Sequence, residues 1–132
     1  MGDRVIRVLL VDDHAPLRRV LAELFAATDD ITVVGECRDG DEVVDAAIRT
    51  RPDVVLMDLN MPGTDGLEAT RRLLEAQPQA RVVMLTGSSC VTSMQEAQRL
   101  GAVGLLRKGD SFDLPSQVRH VAGGGTAWSG CP

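Results

Sequence analysis

Five polar side chains stand where short apolar runs of the sequence end, and their types suit one kind of chemistry. Asp12 and Asp13 close the first run, Asp58 closes the third, Thr86 the fourth and Lys108 the fifth. If the runs are strands of one parallel sheet, their carboxyl ends meet at a single edge, where ligands bind. Three carboxylates placed there repel one another unless a cation compensates them. Mg²⁺ prefers such oxygen ligands and keeps positions for water and phosphate.

The same set of side chains could accept a phosphoryl group. A carboxylate can act as the nucleophile and form an aspartyl phosphate. A metal ion on one side and a lysine on the other would stabilise the negative charge of the transferred group, and a threonine hydroxyl could donate a hydrogen bond to one of its oxygens. We therefore interpret these residues as a candidate site for phosphoryl transfer.

Each residue also has an ordinary structural explanation when it is taken alone. Asp13 could cap the helix that holds Pro16 in its first turn, and Asp58 could form the turn that follows it. Thr86 could begin a helix, and Lys108 could be a solvated loop residue. Packing, however, offers no reason to gather three carboxylates at one edge.

The elements that must position these residues alternate between two patterns. Short β-branched runs indicate strands, and three of the five are nearly continuous, which indicates strands covered on both faces. The runs are Val5–Val11, Ile31–Val34, Val54–Met57, Val82–Leu85 and Val103–Leu106. Helical spacing occupies the stretches between them, at about residues 17–25, 43–50, 67–74, 92–100 and 112–121. Five βα repeats predict an α/β fold, a (βα)5 doubly wound sandwich with a five-stranded parallel sheet and helices on both faces.

The length of the chain predicts one domain, since 132 residues leave no room for a second of usual size. The run Gly123–Gly125 ends the last predicted helix and opens a short exit. We therefore expect a domain over residues 1–123, followed by a tail, or the start of a linker, over residues 124–132.

Composition excludes several classes of function. The net charge of −5 argues against binding a nucleic-acid backbone, and two Phe, one Trp and no Tyr are poor material for stacking bases. No signal peptide or membrane-spanning run is present, and three Cys without close pairing are expected to be reduced thiols. These features predict a cytoplasmic protein with no membrane contact.

Four segments resemble the receiver domain of two-component response regulators. They are Val8–His14, Asp53–Gly63 with the following Asp65-Gly66, Met84–Gly87 and Gly101–Lys108, in the family's order and spacing. The resemblance covers about residues 4–123 and is closest to the NarL/LuxR-type branch, whose receivers precede a helix-turn-helix output domain. It implies the flavodoxin-like receiver fold.

The resemblance implies a role for each acidic residue. Asp58 would be the phosphoacceptor. Mg²⁺ would be held by Asp12, Asp13 and Asp58, most directly by Asp13, with the backbone carbonyl of Asn60 as a further ligand.

The remaining site residues would act after phosphorylation. Thr86 would donate a hydrogen bond to a phosphoryl oxygen, and Lys108 would pair with it. Asn60 and Ser88 stand where the family tunes the lifetime of the phosphate. Leu105 is a departure, because the family usually has Tyr or Phe there, with a ring that moves inward as the threonine moves.

The function implied is a phosphorylation-controlled switch in signal transduction. A sensor histidine kinase would donate the phosphoryl group, and the face made by the fourth helix, fifth strand and fifth helix would then change. Phosphorylation is expected to favour a homodimer and to control transcription. DNA would be contacted only through a helix-turn-helix domain that this chain does not contain. The domain would promote its own phosphorylation and slow dephosphorylation, so it would not be an enzyme in the turnover sense.

Three alternatives follow from the same residues. The departure at Leu105 favours a phosphorylation-independent dimerisation or docking module. A stand-alone receiver that shuttles phosphate is another interpretation. An Mg²⁺-dependent phosphatase or a flavin carrier on this architecture fits less well, because the third strand ends in Asp58-Leu59-Asn60 and the first loop is acidic.

Overall fold

The computed structural model describes residues 5–61, 63–87, 91–108 and 113–128. Its strands are β1 Ile6–Val11, β2 Ile31–Cys37, β3 Val54–Asp58, β4 Val82–Thr86, β5 Gly104–Arg107 and β6 Ala127–Trp128. Its α-helices are α1 Ala15–Ala26, α2 Val43–Thr50, α3 Gly66–Ala76, α4 Val91–Leu100 and α5 Leu114–Ala122, with a 3₁₀ turn at Gly40–Glu42. The alternating βα order is the one predicted.

The strands form one parallel sheet in the order β2-β1-β3-β4-β5-β6. This order confirms the doubly wound sandwich. The sheet has six strands rather than the five predicted, because Ala127 and Trp128, within the segment expected to be a tail, pair with β5. Two residues show no alternation in a sequence, so no hydrophobic pattern could reveal this strand.

The sheet separates two apolar layers because successive side chains of a strand point to opposite faces. One layer, which we call the α2–α4 layer, joins strand residues such as Leu9 and Met57 to α2, α3 and α4. The other joins Val8 and Leu56 to α1 and α5, with Phe25 fully buried. Strands covered on both faces account for the nearly continuous apolar runs.

One of the three cysteines, Cys37, lies within the described residues. Cys37 is a buried free thiol at the end of β2. Burial, followed by the nearby charge of Glu42, raises its pKa to about 11, so the thiol stays protonated at neutral pH. Cys90 and Cys131 lie outside the described residues.

None of the helices in the described ranges has both the length and the apolar character needed to cross a lipid bilayer.

Candidate functional site

Two neighbouring strands carry the three carboxylates to one edge of the sheet. β1 leads into Asp12 and Asp13. β3, which pairs directly with β1, ends at Asp58. Asp12 and Asp58 are 2% and 3% exposed, whereas Asp13 is exposed. One carboxylate oxygen from each residue lies within 4.8 Å of the other two. The predicted convergence of these three side chains is therefore seen in the fold.

Lys108 joins this cluster from the end of β5. Its Nζ lies 3.1 Å from Oδ1 of Asp58 and 3.4 Å from Oδ2 of Asp12. Its backbone N–H donates to the carbonyl of Thr86 at 2.7 Å, which ties the ends of β4 and β5 together. The ammonium is thus a counter-charge to two buried carboxylates and not a solvated loop group.

The electrostatics of the cluster reflect this partial compensation. Burial raises the pKa of Asp58, and the charge of Asp12 adds to that effect, while the hydrogen bonds from Lys108 and from the Asn60 N–H oppose it. Burial alone would lower the pKa of Lys108, but the hydrogen bond to Asp58 and the charges of both carboxylates raise it overall. Three carboxylates face a single ammonium, so the pocket favours a further cation.

The loop Asp12–His14, which we call the acidic loop, is held by hydrogen bonds that its backbone N–H groups donate. The Asp12 N–H donates to the carbonyl of Cys37 at 3.0 Å, and the His14 N–H donates to Oδ1 of Asp12 at 2.8 Å. α1 begins after His14, whose side chain makes no capping bond, so Asp13 is not the cap of this helix. Capping therefore does not explain its position.

Arg18 is a site-supporting residue that sequence reasoning missed. Its Nη1 donates to the backbone carbonyl of Asp12 at 2.6 Å, and its Nε donates to Oε1 of Glu36 at 3.0 Å. The side chain is only 12% exposed. Nothing in the sequence distinguishes it from Arg19, since the bond to the Asp12 carbonyl, six residues earlier, depends on how the loop folds.

Gly66 supports Asp58 from the other side. It begins α3, and its N–H donates to the carbonyl of Leu59 at 3.1 Å. A Cβ on Gly66 would overlap the Asp58 carbonyl oxygen and lie 2.8 Å from Cα of Leu59. The helix can approach the loop after Asp58 this closely only because residue 66 has no side chain.

The donor set fits a hard divalent cation. Asp12, Asp13 and Asp58 offer only oxygen atoms, at short mutual distances and with less positive than negative charge around them. Asn60 lies two residues beyond Asp58, and its N–H donates to Oδ1 of Asp58 at 3.2 Å. A cavity of about 630 Å³ opens over the cluster, lined by Asp12, Asp13, His14, Pro16, Leu17, Val20, Asp58, Asn60 and Lys108.

The other predicted site residues lie nearby or outside the description. Thr86 is fully buried at the end of β4, between the strands that carry Asp58 and Lys108. Leu105 is fully buried in the α2–α4 layer and pairs in register with Met84 of β4. Ser88 lies outside the described residues.

Known proteins resemble this chain in sequence and in fold. The family model for the response regulator receiver domain matches residues 8–119. The chain belongs to that family. This receiver domain is of the kind found in two-component systems, and its resemblance to the NarL/LuxR-type branch is confirmed by its relatives.

Two curated relatives and one solved structure illustrate the likeness. Response regulator GacA of Pseudomonas viridiflava is 42% identical over 121 residues, which are 91% of this chain and 56% of that protein. Protein-glutamate methylesterase/protein-glutamine glutaminase 4 of Myxococcus xanthus is 46% identical over 110 residues, 82% of this chain and 31% of that enzyme. A LuxR-family response regulator from Aurantimonas has a TM-score of 0.89 at 31% identity, over 93% of this chain and 89% of that one.

The receiver matches only part of these longer proteins. The chain spans about half of the length of GacA and less than a third of the methylesterase. One of these two longer relatives is an enzyme by name, and the other is a response regulator.

Proposed function

We propose that this receiver accepts a phosphoryl group on Asp58 from a sensor histidine kinase, with Mg²⁺ bound at the acidic cluster. The observation that carries the proposal is the meeting of three carboxylates within 4.8 Å, with Lys108 Nζ 3.1 Å from Asp58. The packing of the fold gives no reason for these four side chains to lie together. Together they provide a nucleophile, a cation site and a fixed positive charge.

The transfer step follows from the position of Asp58. One of its carboxylate oxygens attacks the phosphorus atom, and an O–P bond forms. The bond from phosphorus to the donor's histidine nitrogen breaks, and the imidazole keeps the electron pair. Lys108 and the Asn60 N–H both donate to Oδ1 of Asp58, which orients the carboxylate for the attack.

The residues of the acidic loop would hold the metal. Asp12, Asp13 and Asp58, with the backbone carbonyl of Asn60, are the proposed ligands. A bound Mg²⁺ would neutralise the carboxylates and offset the charge of the phosphoryl group. Lys108 would then face the transferred oxygens, and the Thr86 hydroxyl would donate a hydrogen bond to one of them.

The output of this reaction is a shift between two conformations. The new charge at Asp58 pulls on Thr86 and Lys108, which end β4 and β5. We expect the face of α4, β5 and α5 to change and a homodimer to be favoured. By analogy with its regulator relatives, the receiver would control a DNA-binding output region in the cytoplasm, without itself binding DNA, a membrane or a turnover substrate.

Acetyl phosphate with Mg²⁺ tests the acceptor directly. We expect the intact protein to gain the mass of one phosphoryl group, and the adduct to be cleaved by hydroxylamine, as an acyl phosphate is. Peptide mapping should place it on Asp58. Asp58→Asn should gain nothing, whereas Asp45→Asn, on the exposed side of α2, should react like the parent protein. Equal labelling of Asp58→Asn would reject the assignment.

Leu105 supports one other function, a docking module that works without phosphate. Its apolar side chain is fully buried, where the family usually places a mobile ring. A Mg²⁺ titration separates the two functions. Isothermal titration should detect saturable Mg²⁺ binding in a phosphoacceptor and none in a docking module.

A further inference from the structure

The segment after α5 is built into the fold by its glycines. Gly124 has a φ of +103°, which favours glycine. The Gly125 N–H donates to the carbonyl of His120 at 2.9 Å, and a Cβ on Gly125 would overlap the His120 ring. The run Gly123–Gly125 therefore makes a tight reversal that returns the chain to the sheet.

β6, the strand that this returning chain forms, packs closely against β5. The Ala127 N–H donates to the carbonyl of Val103 at 3.0 Å. A Cβ on Gly104 would lie 2.5 Å from the Ala127 carbonyl oxygen and 3.2 Å from its Cβ. Since β6 has only two residues and one sheet neighbour, its docking depends on this close contact with β5.

Trp128 ends a row of side chains that crosses the sheet directly beneath the acidic cluster. Neighbouring residues in register are Val11, Met57, Met84, Leu105 and Trp128. The first four are at most 1% exposed, and the Trp128 side chain packs against the same α2–α4 layer. Val11 and Met57 immediately precede Asp12 and Asp58 in the chain.

We propose that β6 undocks from β5 when Asp58 is phosphorylated, so that Trp128 leaves the α2–α4 layer. The proposal rests on the proposed function. Lys108 contacts Asp58 with its ammonium and Thr86 with its backbone N–H. A phosphoryl group on Oδ1 of Asp58 must displace the Lys108 ammonium, because the present 3.1 Å separation has no room for it. The backbone of Lys108, at the end of β5, is where that displacement would be passed on.

β6 is the element that such a shift disturbs most. A movement of β5 toward β6 closes an approach that already excludes a Cβ at residue 104, and a movement away breaks the contact. Helix α5 is held by four buried residues, which are Leu114, Pro115, Val118 and Val121, whereas β6 is held by two residues. The phosphorylation state of Asp58 would thus decide whether the chain beyond Trp128 leaves from the sheet or from the end of α5.

The sequence supplies a clean reporter for this change. Trp128 is the single Trp, and the chain has no Tyr, so tryptophan emission reports on β6 alone. After reaction with acetyl phosphate and Mg²⁺, we expect the emission to shift to the red and acrylamide quenching to increase. Asp58→Asn treated identically, and the parent protein given Mg²⁺ alone, should both show neither change, and the arm with Mg²⁺ alone separates phosphorylation from metal binding.

Two glycine variants test whether docking holds Trp128 in place. Gly104→Ala should expel β6 because its Cβ meets the Ala127 backbone, so its emission should be red-shifted before any phosphorylation and unchanged afterwards. Gly123→Ala is the matched control, since its Cβ would find neighbours only at 3.5 and 3.6 Å. It should behave like the parent protein. Both variants should still gain the phosphoryl mass.

Each possible result decides one of the two proposals. A stoichiometric mass gain with unchanged emission would overturn undocking and leave the proposed function intact. Parent-like emission of unphosphorylated Gly104→Ala would also overturn it, because Trp128 would then not depend on β6 docking. If the parent protein gains no phosphoryl mass, the proposed function fails, and the regulation of β6 fails with it.

Discussion

Lys108 Nζ lies 3.1 Å from Oδ1 of Asp58 and 3.4 Å from Oδ2 of Asp12, which are 50 and 96 positions away in the chain. One ammonium therefore balances two buried carboxylates at the ends of β1 and β3. In this position it offsets repulsion in the resting protein and is already placed to face a group added to Asp58. Removing the ammonium should therefore strengthen the binding of a cation and slow the addition of that group.

Lys108→Met keeps the apolar stem and removes the charge. We expect Mg²⁺ to bind more tightly, because the cation that competes for the carboxylates is gone. The rate of phosphorylation by acetyl phosphate should fall about 10²-fold, as for the loss of one fixed charge-stabilising donor. Isothermal titration and time-resolved mass spectrometry measure the two effects. Arg99→Met, which removes the same charge from exposed α4, should alter neither.

Arg18→Ala removes the hydrogen bond that the guanidinium donates to the Asp12 carbonyl in the acidic loop. We expect the free energy of unfolding to fall by about 1–3 kcal/mol, since a charged donor to a part-buried acceptor is lost, and Mg²⁺ binding to weaken. Glu36→Gln keeps the Asp12 bond and disturbs a partner that is 43% exposed, so it should cost less than about 1 kcal/mol. Urea unfolding and metal titration check both. Equal losses in the two variants would show that the ion pair, and not the carbonyl bond, supports the loop.

Gly66→Ala places a methyl group against the backbone of Asp58 and Leu59. Either α3 or the loop must move, and the free energy of unfolding should fall by about 1–3 kcal/mol, as overpacking in a filled site costs. Because the displaced atoms belong to the nucleophile's own residue, phosphorylation should slow as well. Gly87→Ala, whose Cβ would meet no described atom within 4 Å, is the stability control. An unchanged unfolding midpoint for Gly66→Ala would contradict the close approach.

The ion pairs of Glu68 predict a dependence of stability on acid. Hydrogen bonds from Arg71 and then Arg72 lower the pKa of Glu68 to about 2, from a usual 4.5. Since the pKa is lower in the folded than in the unfolded chain, the stabilisation is complete above about pH 4.5 and is lost as the pH falls toward 2.

Glu68→Gln should therefore be less stable than the parent at neutral pH, and the difference should narrow across that acidic window. Thermal unfolding at a series of pH values measures it. Glu23→Gln, an exposed change of the same kind on α1, controls for the altered net charge. A difference that is constant from neutral to acidic pH would mean that the charge of Glu68 is not what stabilises α3.

The ends of β1, β3, β4 and β5 were predictable because each is marked locally by an apolar run that stops at a polar residue, whereas β2 continues to Cys37, three residues beyond its predicted end at Val34. Parallel pairing then brings Asp12 and Asp58 together without any further information. Arg18 and Gly66 were not predictable in this way, since each contacts a backbone atom six to eight residues earlier, in the loop that precedes its own helix. Their importance depends on how closely α1 and α3 approach the loops, which no periodicity records.

The end of the chain was the least predictable part. Gly123–Gly125 has the composition of a flexible exit, and the same residues are also the ones that a sharp reversal requires. Only the narrow space at Gly104 distinguishes the two interpretations, and Gly104 lies twenty residues earlier. A glycine run is therefore ambiguous until the surface that it returns to is known.

Open sheet edges invite strands from other molecules, and β5 would be such an edge without Ala127 and Trp128. Its outer side would show unpaired backbone groups next to the apolar side chain of Leu105. A chain shortened to Gly123 would uncover that edge. The two residues of β6 thus cover an edge that would otherwise be open to strands of other molecules.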